Sequence, residues 1–208
     1  MRAEIATLAG PATADIDRPR TASRALLVLT HGAGGGVDTP DLATVRRAAI
    51  DAGIAVVRLT QPYVVAGRRS PPSPEKQDQA WLEALAAVRR RRGFAELPLI
   101  VGGRSNGARV TCRTAVASGA VAVVALAFPV HPPGKPEASR IAELEAAGVP
   151  VLVVQGDRDP FGMPAPAPGR EVVVIQGADH SLKRGLATAA AEVTRFVTTV
   201  LASATVEP

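Results

Sequence analysis

The chain has 208 residues, which suits one domain whose core needs no disulfide staples. Hydrophobic residues make up 47% and charged residues 21%, and 19 glycines with 18 prolines fall short of low-complexity composition, so disordered, collagen-like and coiled-coil classes are excluded. The net charge of +5 comes almost wholly from arginine, 21 against three lysines, yet aromatics are only 3%, which leaves little for stacking on single-stranded nucleic acid.

Met1-Arg2-Ala3-Glu4 opens without an apolar leader core. The longest run free of polar residues, Gly119–Val130, is shorter than the ~20 residues of a spanning helix. The expectation is a soluble cytoplasmic protein with no membrane partner. Lone Cys112 excludes a disulfide framework and a Cys-rich zinc site, and it fits a reducing compartment. No metal or cofactor is expected.

In chain order, a weak edge strand is expected at Glu4–Leu8. Nearly continuous apolar runs follow at Ala25–Thr30, Ile54–Thr60, Leu99–Gly103, Val121–Phe128, Val151–Gln155 and Val172–Gln176. Continuous rather than alternating runs suit strands buried on both faces, as in parallel sheets. Helices are expected between them: Asp41–Ala52 after Asp38-Thr39-Pro40, a stretch from Ser73 to Gly93, Asn106–Ser118, Glu137–Ala147, and Leu182–Ala202 with one apolar stripe. Strands alternating with helices predict a single α/β domain over residues 1–208. It holds a doubly wound, mostly parallel sheet with helices on both faces and no large cap.

Gly103-Arg104-Ser105-Asn106-Gly107 follows the third strong run and leads straight into a helical stretch. A G-x-S-x-G pattern alone is weak; the strand–turn–helix setting is what a nucleophile elbow requires. The bland reading is an ordinary glycine-rich turn. A serine hydroxyl needs a base, and the chain has only His31, His131 and His180. His180 comes after the last strand and before the last helix, the right place in a Ser…acid…His order; a capping histidine is the bland alternative. Two acids compete after Val151–Gln155: Asp159, three residues past Gly156, and Asp157. Either is otherwise a turn former before Pro160. Asp179 adjoins His180 in sequence and ranks last, because neighbours rarely face each other.

Thr30-His31-Gly32-Ala33-Gly34-Gly35-Gly36 follows the first strong run. It has no Lys-Ser/Thr after its glycines, and Val37 stands where a third fingerprint glycine belongs, so both nucleotide patterns fail. As an oxyanion loop it would offer the Ala33 N–H beside that of Asn106. His31, Arg104, His131 and Tyr63 are candidate substrate contacts. Arg104 and Arg109 are as readily ties between loops. Lys135 is a further candidate substrate contact, Arg68–Arg69 are candidates for the pocket wall, and Arg89–Arg92 reads as a solvated helix end.

These blocks read Thr30–Gly35, Gly102–Arg109, Phe128–Pro136, Gln155–Gly162 and Gly177–Lys183. They resemble the small α/β-hydrolases of the dienelactone-hydrolase-like group, over about Ala25 to Ala202. The resemblance implies Ser105, Asp159 and His180 as a triad. True dienelactone hydrolases carry cysteine at the elbow, whereas this chain has Ser105, and Cys112 reads as a core residue. The implied activity is therefore a serine hydrolase acting on a small ester or thioester. Some relatives in this group are interaction subunits, one of them in a chromatin complex, so a non-catalytic interaction module on the same fold is the alternative. A nucleic-acid binder rests on charge alone and is not expected.

Overall fold

A computed structural model describes residues 1–204. The strands are β1 (Arg2–Ile5), β2 (Ala12–Asp17), β3 (Leu26–Thr30), β4 (Ala55–Thr60), β5 (Leu99–Arg104), β6 (Ala122–Leu126), β7 (Val151–Gly156) and β8 (Arg170–Ile175). The helices are α1 (Pro40–Asp51), α2 (Pro62–Val65), α3 (Pro74–Arg89), α4 (Asn106–Ser118), α5 (Ile141–Glu145) and α6 (Leu186–Ala204). All eight strands form one sheet in the order β1-β2-β4-β3-β5-β6-β7-β8. From β4 to β8 every pairing is parallel, while β1 and β2 add an antiparallel flap at one edge.

The continuous apolar runs form the central strands because both sheet faces are covered. Along β3, Leu26 and Val28 pack towards α3 and α4, with Trp81, Leu85, Val88 and Val110. Leu27 and Leu29 pack towards α1 and α6, with Leu42, Val45, Val193 and Phe196. Period-two alternation thus feeds two cores from one strand.

Several boundaries differ from expectation. The strand expected to reach Phe128 stops at Leu126, because Ala127 turns to a positive φ of 48°. The helix expected over Glu137–Ala147 shrinks to Ile141–Glu145; the Arg140 N–H is tied to the Val130 carbonyl, which holds the preceding segment against the loop after β6. Leu182 cannot begin the last helix, since its φ is 47°, and α6 starts after Gly185. Both β2 and the single turn α2 were not expected, and the edge strand β1 lies earlier than Glu4–Leu8. Among the described residues no helix is long and apolar enough to cross a membrane.

Candidate active site

The chain leaves β3 for β4 on one side and returns to β5 on the other, so the sheet reverses its winding direction between β3 and β5. Loops at such a point splay apart and leave a crevice at the carboxyl ends of the strands. In register, Thr30 pairs with Gly103, which sets His31–Ala33 beside Arg104–Ser105. The elbow and the glycine loop are therefore neighbours by strand pairing, though 70-odd residues separate them in sequence.

Ser105 has φ 52° and ψ −116°, a conformation that L-residues rarely adopt. Two glycines make the turn possible. A Cβ on Gly103 would lie 2.8 Å from the Thr30 carbonyl oxygen, and one on Gly107 would lie 2.6 Å from that of His31. The Ser105 N–H donates to the Leu126 carbonyl at 2.9 Å, so sheet pairing holds the strained residue. Asn106 and Gly107 open α4, where the first N–H groups have no acceptor within the helix.

His180 Nε2 lies 2.9 Å from Ser105 Oγ, and His180 Nδ1 lies 2.9 Å from Asp159 Oδ2. An ionised carboxylate only accepts, so Nδ1–H donates to Asp159 and Nε2 is free to accept from the serine hydroxyl. The Asp159 side chain is fully buried. It takes two further donors: the Gln155 amide to Oδ2 at 2.9 Å and the Phe161 N–H to Oδ1 at 2.9 Å. The Phe161 ring lies 4.2 Å, centroid to centroid, from the His180 imidazole and flanks it. The other two acids are engaged locally. Asp157 accepts from the Gly177 N–H at 2.7 Å, and Asp179 accepts from the Ser181 N–H at 2.9 Å and from its hydroxyl.

Gln155 and Phe161 are site features to which the sequence assigned no role, whereas the Arg104 bridge to His180 matches the loop tie expected of that arginine. The signal for Gln155 was there: it is the one polar residue ending a run of buried valines and leucine.

Three of the candidate substrate contacts make hydrogen bonds within the protein. His31 is fully buried. Its Nε2 accepts from the Gln61 N–H at 3.0 Å and its Nδ1 lies 2.8 Å from the Gly32 carbonyl oxygen. Burial pushes its pKa below the usual 6.5. Tyr63, only 6% exposed, donates its hydroxyl to the Ala33 carbonyl at 3.1 Å, and burial pushes that phenol up to about 12. Arg104 donates to Asp41 at 2.9 Å and to the His180 carbonyl at 2.9 Å, so it ties the elbow to α1 and to the His180 loop. His131 is partly exposed; its ring would lie 3.1 Å from a Cβ on Gly162, so it packs on the turn that carries Phe161.

Arg109 faces away from this line, paired with Glu143 at 2.5 Å. Lys135 and Arg69 are exposed. Arg68 and Tyr63 help line a cavity of about 230 Å³ between α2 and the start of α3. A larger cavity, about 430 Å³, lies at the amino ends of β7 and β8, away from Ser105. Cys112 is fully buried and its thiol is pushed up by desolvation, as a core residue would be. Among the described residues no group of three or more His, Cys, Asp or Glu side chains is gathered for a metal ion.

No curated protein matches the chain. Solved structures do. An α/β serine hydrolase homologue from Coxiella burnetii superposes with a TM-score of 0.76 at 19% identity, covering 95% of this chain and 97% of that one. A serine hydrolase without a lid from Xanthomonas campestris gives 0.76 at 20% identity, covering 96% and 94%. A dienelactone hydrolase from Anabaena variabilis gives 0.75 at 15% identity, covering 96% of each. At these identities the likeness is one of fold. The family model described as an alpha/beta hydrolase domain matches residues 23–204, which hold six of the eight strands and every loop around Ser105. By that match the chain belongs to the α/β hydrolase domain family, and it shares its fold with the dienelactone-hydrolase-like group.

Proposed function

We propose that the protein is a serine hydrolase that cleaves a small ester or thioester through an acyl-enzyme on Ser105. The observation that carries this reading is the hydrogen-bonded line from Ser105 Oγ through His180 to buried Asp159. In the first half-reaction His180 Nε2 takes the hydroxyl proton as Oγ bonds to the acyl carbon. The carbonyl oxygen becomes an oxyanion, which the N–H groups of Ala33 and Asn106 receive. The tetrahedral species collapses, the bond to the leaving group breaks, and His180 returns its proton to the departing alcohol or thiol. In the second half-reaction a water gives its proton to His180, attacks the acyl carbon, and the acid leaves as Ser105 recovers its hydrogen. Asp159 stays ionised throughout; it fixes the tautomer and stabilises the imidazolium.

The strained φ of Ser105 supports the same reading, since such strain concentrates at functional residues. Labelling the purified protein with a fluorophosphonate tests it. The expected result is one adduct on Ser105, with turnover of p-nitrophenyl acetate that disappears in Ser105→Ala. A folded protein that takes no label on Ser105 overturns the proposal and favours the interaction-module alternative.

A further inference from the structure

His31 is the only histidine among the buried polar residues, and the acyl-transfer steps above give it no task. Both of its ring nitrogens are nevertheless committed. The Gln61 N–H can only donate, so Nε2 must be the acceptor at 3.0 Å. The remaining proton is then on Nδ1, which donates to the Gly32 carbonyl at 2.8 Å. Protonating Nε2 would set two donors against each other, so the backbone of Gln61 locks one neutral tautomer.

The acceptor at the other end is one face of a particular peptide. The Gly32 oxygen also accepts from the Gly35 N–H at 3.0 Å, and the Tyr63 hydroxyl lies 3.5 Å away. The next carbonyl, that of Ala33, takes the Tyr63 hydroxyl at 3.1 Å. A trans peptide is planar, and its C=O and N–H point in opposite directions. With the Gly32 oxygen drawn towards His31, the Ala33 N–H points away from it, and it has no protein acceptor among the described residues. Gly32 itself sits against the elbow: a Cβ there would lie 3.4 Å from Ser105 Cβ.

A chain of amides supports this from behind. Gln77 of α3 donates to the Gln61 side chain at 2.8 Å, and Gln61 donates to Thr30 Oγ1 at 3.2 Å.

We propose that His31 is a positioning residue, which acts through the Gly32–Ala33 peptide to aim the Ala33 N–H at the developing oxyanion. This rests on the hydrolase reading. A donor aimed only at the transition state raises kcat and leaves ground-state binding nearly untouched.

Three variants separate positioning from mere support of the fold. Asn places an N–H where Nδ1 stands but strands the Gln61 N–H. Gln offers Gln61 an acceptor but withdraws the donor to Gly32. Phe removes both. With p-nitrophenyl acetate as probe, His31→Phe and His31→Gln should lose about 10- to 100-fold in kcat with KM changed by less than about twofold, a part of the ~10²–10³ that a lost oxyanion donor costs. His31→Asn should recover about tenfold over His31→Phe, even if its thermal stability is the lower. Equal kcat in the Asn and Gln variants, or kcat that follows melting temperature alone, overturns the proposal.

A measurement on the unaltered protein needs no variant to fold: the ¹⁵N spectrum of the imidazoles should show His31 as the Nδ1–H tautomer, and the Nε2–H tautomer overturns it. Fluorophosphonate labelling tells the two failures apart. Unaltered protein that labels on Ser105 while the variants behave alike defeats only the role of His31. Unaltered, folded protein that does not label defeats the hydrolase reading and this proposal with it.

Discussion

The three donors on Asp159 explain why this carboxylate faces His180 and its two neighbours do not. Phe161 N–H and the Gln155 amide hold it from one side, while Asp157 and Asp179 are turned to their own loops. Asp159→Asn would keep the shape and present an N–H to His180 Nδ1, which forces the wrong tautomer; kcat should fall by ~10³–10⁴ in steady-state ester hydrolysis, with Phe161 still able to find an oxygen.

The buried His31 makes a second prediction at this scale. Its folded pKa lies below 6.5 because burial disfavours the charged ring, so the unfolded chain binds the extra proton first. Its contribution is present above pH 6.5 and is lost as pH falls from there towards the lowered folded value. Thermal melts between pH 7 and 5 should therefore lose more stability in the native protein than in His31→Asn.

Much of the candidate site was legible because Ser105, the Asp157/Asp159 pair and His180 each follow an apolar run. The choice between the two acids was not legible from spacing, since it depends on which loop amide each one caps. His31, a candidate substrate contact by sequence, is fully buried in the structure. It directly follows five fully buried residues, which places it inside the sheet's end, where a polar ring must satisfy both nitrogens internally.

Helix α4, which follows Ser105, is fixed to its neighbours by charge as well as by apolar packing. Arg113 pairs with Asp78 of α3 at 2.5 Å and with Glu143 of α5 at 2.9 Å, while Arg109 grips Glu143 at 2.5 Å. Burial alone would raise the Glu143 carboxyl, but the hydrogen bonds and charges of Arg109 and Arg113 hold it below the usual range. Its contribution is present above the usual carboxylate value of 4.5 and is lost as pH falls below it. Glu143→Gln should cost about 1–3 kcal/mol at neutral pH, read by urea unfolding, and should flatten the acid limb of stability. Activity per folded molecule should change little, because the network lies behind the elbow.

At this scale the central strands were legible from their continuous runs. β2 was not: Ala12, Ala14 and Ile16 alternate with Thr13, Asp15 and Asp17, and small or acidic residues mask a half-buried edge pairing. α2 is one turn of four residues, too short for periodicity to register. Leu182 fits the apolar stripe of α6 in sequence, yet it packs on the core from a left-handed turn ahead of the helix.

Across the molecule, seven of the 21 arginines are paired with carboxylates, some at the surface and some half-buried: Arg2, Arg46, Arg58, Arg104, Arg109, Arg113 and Arg195. Duplex DNA should not be retained in a salt-dependent way at about 50–100 mM salt in a mobility-shift titration. Between β6 and β7 the described chain holds a loop and only the five-residue α5. No cap element lies over Ser105 there, so hydrolysis of a longer-chain ester should show no jump in rate as it passes its micelle threshold, and acetate or butyrate esters should be preferred over long-chain ones.

The hydrogen bond between Ser105 and His180 spans 75 residues of chain, and the one between His180 and Asp159 joins two separate strand ends. Such contacts close late, because the loops between them must be ordered first. Under the proposed function, ester turnover is then a reporter of complete assembly. On refolding it should return after helical circular dichroism and no earlier than the burial of Trp81, the single tryptophan, fully enclosed between the sheet and α3.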